Sequence, residues 1–168
     1  PKFPLYQAAA DAKEHLDAAK HFTHPDGHEK DAFGFFGQTV SWEDLGWLRG
    51  WRDTLVRLIE QGKSEDGKEV KLSRGFLFKL ATIANLAARH EREEKAAQYS
   101  QADLSRLVNL HKAKWRLVYH LAREHRVFWA ELDQLRDELL VDNARHLAHL
   151  NALVRWVELA TRKEREQR

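Results

Sequence analysis

The sequence predicts an all-α protein, a bundle of about five helices. Three observations predict it. From Phe76 to Arg168 there is no glycine and no proline, because all eight Gly and all three Pro lie in the first 75 residues; that stretch lacks the residues that most readily stop a helix. Apolar residues recur at three- and four-residue spacing along most of the chain, which is the signature of amphipathic helices. Two capping-box patterns, Ser41 with Asp44 and Ser100 with Asp103, mark helix starts. No segment reads as a strand.

The first helix is expected over residues 5 to about 22, with Leu5, Ala9, Ala12, Leu16 and Ala19 as its buried stripe. Residues 23–40 read as a long connection holding Pro25, Gly27, Gly34 and Gly37. The same segment carries Phe33, Phe35 and Phe36, which a solvated loop does not keep in water, so it is expected to fold back onto the helices. A second helix starts at the Ser41 capping box and runs to about Gln61, burying Leu45, Leu48, Trp51, Leu55 and Leu58. Gly62 stops it in the manner of a C′ glycine, and residues 62–70 form a polar, exposed loop. A third helix runs from Ser73 through Phe76, Leu80, Ile83 and Leu86 to about His90. Residues 91–98 either extend it into solvent or form the turn. The fourth helix covers about 101–125. The fifth covers about 128–163, with a split near Asp142-Asn143 left open.

At 168 residues the chain suits one helical domain, 1–168, or two small helical lobes, with 1–72 and 73–168 as the division. It is long enough to bury a core without staples. Cys is absent, which excludes a disulfide framework, a thiol nucleophile and thiolate-bound metal. No run is apolar enough to span a bilayer, and the first residues lack the apolar core of a signal peptide. The expectation is a cytoplasmic protein with no membrane partner.

Net charge is +2 but unevenly placed. Residues 1–75 carry 11 Lys/Arg and 13 Asp/Glu, whereas residues 76–168 carry 17 and 13. On the fourth helix, steps of about 100° per residue put Val108, Trp115, Leu104, Ala122, Val118, Leu107, Leu121, Leu110 and Leu117 on one broad apolar arc. Opposite them fall Lys112, Arg116, Tyr119, His120, Arg123 and Arg126, with Ser105 and Asn109 among them and Glu124 at the edge. Such a face repels itself unless an anion neutralises it. Two anions fit: a phosphate backbone, with Tyr119 as a stacking surface, or the acidic segment Glu131, Asp133, Asp137, Glu138 and Asp142 of the next helix.

Ten histidines call for a metal test. Asp142, His146 and His149 at i, i+4, i+7 share one face if the fifth helix is continuous, a workable three-ligand geometry. His21, His24 and His28 form a second cluster beside Asp26, Glu29 and Asp31. The bland reading of both is interfacial or solvated histidine. Arg116/His120 and Arg145/His149 fall one residue short of the spacing in all-α ribonuclease toxins of the HEPN type, so that reading fails. No serine elbow and no phosphate-binding glycine loop is present. No catalytic residue and no cofactor is expected.

The segment Ser41-Trp42-Glu43-Asp44-Leu45-Gly46-Trp47-Leu48-Arg49 resembles one in FMN-dependent 2-hydroxy-acid oxidases. There an apolar strand with a lysine follows; here the helical pattern continues through Leu55-Val56-Arg57-Leu58, so the match reflects only a capped, tryptophan-rich helix. In size, long carboxy-terminal helices and the Lys112/Arg116/Arg123/Arg126 face, the chain is similar to the small subunits of CRISPR effector complexes. The resemblance implies a non-catalytic subunit of a nucleoprotein complex in antiviral defence, contacting RNA or single-stranded DNA backbone and packing against other subunits or copies of itself. The nucleic-acid-binding set is then Lys112, Arg116, Tyr119, Arg123 and Arg126, assisted by Lys79 and Arg89. Trp42, Trp47 and the aromatic cluster of Phe33, Phe35 and Phe36 are candidates for a subunit contact. The competing expectations are a metal-binding helical protein using Asp142, His146 and His149, and a purely structural interaction bundle.

Overall fold

The structure is a computed structural model, and it describes residues 5–24, 27–62, 69–96, 103–124, 126–140 and 146–162, with side chains left out between 88 and 110. Among these residues the elements run α1 (Leu5–Lys20), β1 (Ala32–Phe35), β2 (Gln38–Ser41), α2 (Trp42–Gln61), α3 (Arg74–Ala96), α4 (Asp103–Ala122), a 3₁₀ turn (Arg126–Phe128), α5 (Trp129–Leu140) and α6 (Leu150–Ala160). The protein is mostly helical; among the described residues there are six α-helices where about five were expected, and one small antiparallel sheet where none was. No helix among the described residues is long and apolar enough to cross a membrane. The chain divides into two compact units, Pro1–Gly50 and Trp51–Arg168, so the boundary falls inside α2.

In the first unit the segment expected to be a loop contains a hairpin, with Ala32 opposite Ser41 and Phe35 opposite Gln38. Two residues connect the strands, and both have positive φ: 47° at Phe36 and 78° at Gly37. That is the two-residue turn whose twist matches a hairpin. Its usual signal is Asn-Gly or Asp-Gly; here Phe-Gly occupies it, and the strands are only four residues each, so the alternation is too short to read. Of the three phenylalanines Phe33 reaches a helix residue, and Phe36, at the turn, is exposed. Phe33 stacks on Trp42 with ring centroids 4.4 Å apart, and Phe35 touches both Phe33 and Phe36. α1 packs on the hairpin, but not through the expected stripe. Leu5 is 88% exposed and Leu16 54%, and Ala19 alone of the helix is buried. A helix lying on a two-stranded hairpin meets too little surface to bury a whole face.

The capping box forms as read. Asp44 N–H donates to Ser41 Oγ at 3.1 Å, and the Ser41 hydroxyl donates to Asp44 Oδ2 at 2.7 Å, both buried. This satisfies one of the donors a helix start leaves open.

In the second unit Trp51, Leu55 and Leu58 of α2 are buried as expected. α3 begins at Arg74 and continues through 91–96, so the charged run extends the helix. Its Phe76, Leu77, Leu80, Ile83, Ala84 and Ala87 are buried, and it packs against both α4 and α6. α6 buries Leu150, Ala152, Leu153, Val154 and Val157. It ends at Thr161, whose hydroxyl donates to the Val157 carbonyl at 2.9 Å and whose own carbonyl accepts from Arg74. The expected fifth helix is two helices, α5 ending at Leu140 and α6 starting at Leu150. The second capping box, at Ser100 with Asp103, lies outside the described residues on its Ser100 side.

Gly62 does end α2, for a reason other than a left-handed conformation. Val70 N–H donates to the Gly62 carbonyl at 2.9 Å and Leu72 N–H to the Leu58 carbonyl at 2.9 Å, which brings the returning chain onto the helix end. A Cβ at position 62 would overlap the Val70 and Leu58 carbonyl oxygens. Gly62→Ala is therefore expected to destabilise the protein by about 1–3 kcal/mol, as overpacking of a closed site does, read as a lower midpoint of denaturant unfolding at unchanged slope. Gly46→Ala, where a Cβ meets nothing, is the matched control and leaves the midpoint unchanged or raised.

Candidate nucleic-acid interface

The described side chains of α4 are seated by an apolar seam. Ala113, Leu117 and Leu121, at i, i+4 and i+8, are buried at 0–2% exposure, and they face the core shared with α3 and α5. The arc opposite holds His111, Lys112, Trp115, Arg116, Tyr119, Ala122 and Arg123, all exposed. At about 100° per residue this exposed arc covers roughly 140° of the helix. Lys112, Arg116, Tyr119 and Arg123 thus lie together as the sequence suggests. Trp115 does not lie where expected. Expected in the apolar arc, it is 73% exposed: among the described residues the buried seam is Ala113, Leu117 and Leu121, and Trp115 falls outside it.

Arg123 lies against Tyr119. Its guanidinium donates to the phenolic oxygen at 2.6 Å and sits over the ring, 5.2 Å from the centroid. Arg126 is not on α4, which ends at Ala122; it lies in the 3₁₀ turn with its guanidinium 5.5 Å from the centroid of the exposed Trp129 ring. Both arrangements are cation–π contacts worth about 0.5–1 kcal/mol at an exposed site. Lys79 comes across from α3 but ion-pairs with Glu124 at 2.7 Å. The side chain of Arg89 lies outside the described residues.

The acids expected to neutralise this face are engaged elsewhere. Glu131 pairs with Arg57 of α2 at 3.3 Å. Asp133 and Asp137 pair with Arg136 of their own helix at 2.7 and 2.8 Å. Glu138 accepts from the buried Trp51 indole N–H at 2.6 Å and from Gln134 at 2.8 Å. Asp142 lies outside the described residues. Among the described residues no carboxylate ion-pairs with Lys112, Arg116 or Arg123.

The local field registers on His120, half-buried at the edge of the face. Burial, then the charges of Lys79 and Arg116, with Arg123 adding to them, hold its imidazole below the ordinary histidine value against the opposing pull of Glu124.

The metal alternative loses the helix that gave it one face. His146 sits in a turn between α5 and α6, its Nδ1 3.2 Å from the Glu138 carbonyl, and His149 is the buried residue preceding α6. In the first unit His24 is buried beside Phe22 and His28, with no hydrogen-bond partner for its Nε2 among the described residues. No group of three or more His, Asp or Glu able to hold a metal occurs among the described residues. A shallow cavity of about 290 Å³ between α3 and α6 is lined by Arg74, Leu77, Phe78, Glu158, Thr161 and Arg162; these include no paired nucleophile and base.

Sequence reasoning missed the exposure of Trp115 and the Arg126–Trp129 pair. The run Lys112-Ala113-Lys114-Trp115-Arg116 carries the signal, since a tryptophan flanked by cations is poorly suited to a core. Compared with protein-family models, with curated proteins and with solved structures, the chain matches none.

His120 gives a pH prediction. Its folded pKa lies below the unfolded value of about 6.5, so between the two the unfolded chain binds more protons. This contribution to stability is complete above about pH 6.5 and is lost as pH falls towards the folded pKa. His120→Gln is expected to flatten that part of the profile, checked by denaturant midpoints of both proteins between about pH 7.5 and 5. Parallel profiles would refute the assignment.

Proposed function

We propose that the chain is a non-catalytic subunit of a nucleoprotein assembly that holds nucleic-acid backbone on the exposed cationic face of α4. The observation that carries this reading is the lack of an ion-pair partner, among the described residues, for Lys112, Arg116 and Arg123, while the acids of α5 are taken up by Arg57, Arg136 and Trp51. Lys112 and Arg116 stand at i, i+4, where like charges cost a helix a few tenths of a kcal/mol. A phosphate backbone removes that repulsion and adds the free energy of counterion release. The mechanism is neutralisation without base reading: Lys112, Arg116 and Arg123 supply charge and Tyr119 supplies a ring surface. Arg126 extends the face beyond the helix end, and Lys79 contributes to the field although Glu124 shares its charge. RNA or single-stranded DNA is the proposed ligand, with other subunits or copies of the chain as protein partners, in keeping with the architectural resemblance to CRISPR small subunits.

The test is binding of labelled single-stranded and duplex probes across a series of salt concentrations. Three phosphate contacts predict a log–log slope of about −2 for a single strand, at roughly −0.7 per contact. Arg116→Glu with Arg123→Glu is expected to abolish binding at a salt concentration where the parent is saturated, with the helical circular dichroism unchanged. Unaltered binding by the double variant would overturn the reading. Unfolding of the variant would assign the two arginines to the fold instead.

A further inference from the structure

The exposed arc of α4 carries two large rings that the packing does not use. Trp115 is 73% exposed and Tyr119 54%. They are four residues apart, so they sit on neighbouring turns of one face, about 6 Å apart along the axis. Lys112 and Arg116 flank them, and Arg123 follows. Trp115 makes no hydrogen bond or ring contact among the described residues. Tyr119 is held by two neighbours: the Arg123 guanidinium lies over its ring and donates to its hydroxyl, and the His120 ring meets it edge-on at 5.3 Å, while the residue keeps about half of its surface exposed.

We infer that Trp115 and Tyr119 form a base-stacking platform, and that the ligand of this face is an unpaired strand rather than a duplex. The inference rests on the proposed backbone-binding function and deepens it. Charge complementarity selects the occupant. An apolar partner helix would cover the two rings but leave Lys112, Arg116 and Arg123 uncompensated at the rim. A duplex would satisfy the cations but keep its base faces stacked inside. An unpaired strand meets both demands, since its phosphates pair with the cations and its bases offer free π-faces. Stacking of this kind tolerates any base, because every base has a π-face. The three cations release counterions while the rings supply affinity that salt does not screen.

The experiment uses the full chain with a labelled oligodeoxythymidylate and a labelled duplex of equal length, comparing the parent with Trp115→Ala and Trp115→Phe. The parent is expected to bind the unpaired strand more tightly than the duplex. Trp115→Ala is expected to weaken strand binding by roughly 5- to 150-fold, the range of one lost base stack, with the salt slope unchanged because no phosphate contact is removed. Trp115→Phe restores most of the loss. If Trp115→Ala binds the strand as the parent does, the platform is refuted while backbone binding stands. Equal parent affinity for strand and duplex refutes it in the same way. If the parent binds neither probe even at low salt, both readings fall together and the exposed rings are left to a protein partner.

Discussion

The buried surface of α3 is the support on which α4 and α6 of the second unit pack. Six of its side chains between Phe76 and Ala87 are buried, and the helix supports α4 along one side and α6 along another. Full burial of a Leu, Ile or Phe side chain is worth about 1.5–3 kcal/mol, whereas an exposed ion pair is worth about 0–1 kcal/mol. The rotation of α4 about its own axis is therefore decided by Leu117 and Leu121, and charge has little say in it. With that seam inward, Lys112, Arg116 and Arg123 must point outward. The cationic face is a consequence of hydrophobic seating.

The same ordering of energies explains why the acids of α5 leave that face alone. Leu132, Leu135 and Leu139 are buried, which turns Glu131 and Glu138 towards α2. There Glu138 meets a buried indole N–H, and an unmade bond at such a donor costs about 1–3 kcal/mol. Asp133 and Asp137 are exposed and settle on Arg136, their near neighbour in sequence. Each acid takes the partner its helix phase presents.

Much of this fold is legible in the residues, and the failures have physical causes. The Ser41–Asp44 cap and, of the expected α2 stripe, Leu48, Trp51, Leu55 and Leu58 read correctly because local hydrogen bonding and strong periodicity agree, while Leu45 is only half-buried. The hairpin was hidden because Phe36 occupies a positive-φ position that usually takes Asn or Gly. The stripe of α1 was legible, but periodicity says which residues share a face and not whether a partner covers it. Trp115 failed for a related reason: apolar character does not by itself mean burial, and Trp115 lies off the seam of Ala113, Leu117 and Leu121. The cations of the candidate site, by contrast, could be placed on one face from helical geometry alone, since they lie within α4 or just past its end. Arg126 could not, because the helix stops four residues before it.

The neutrality of His120 has a thermodynamic consequence. Its proton is held off by burial first and then by Lys79, Arg116 and Arg123. A polyanion seated on the face would offset those charges, so the imidazole pKa would rise and the complex would take up a fraction of a proton near neutral pH. That proton is drawn from the buffer. The heat of association would then depend on the buffer's own ionisation enthalpy, and the protein would report occupancy of its surface through calorimetry in two buffers.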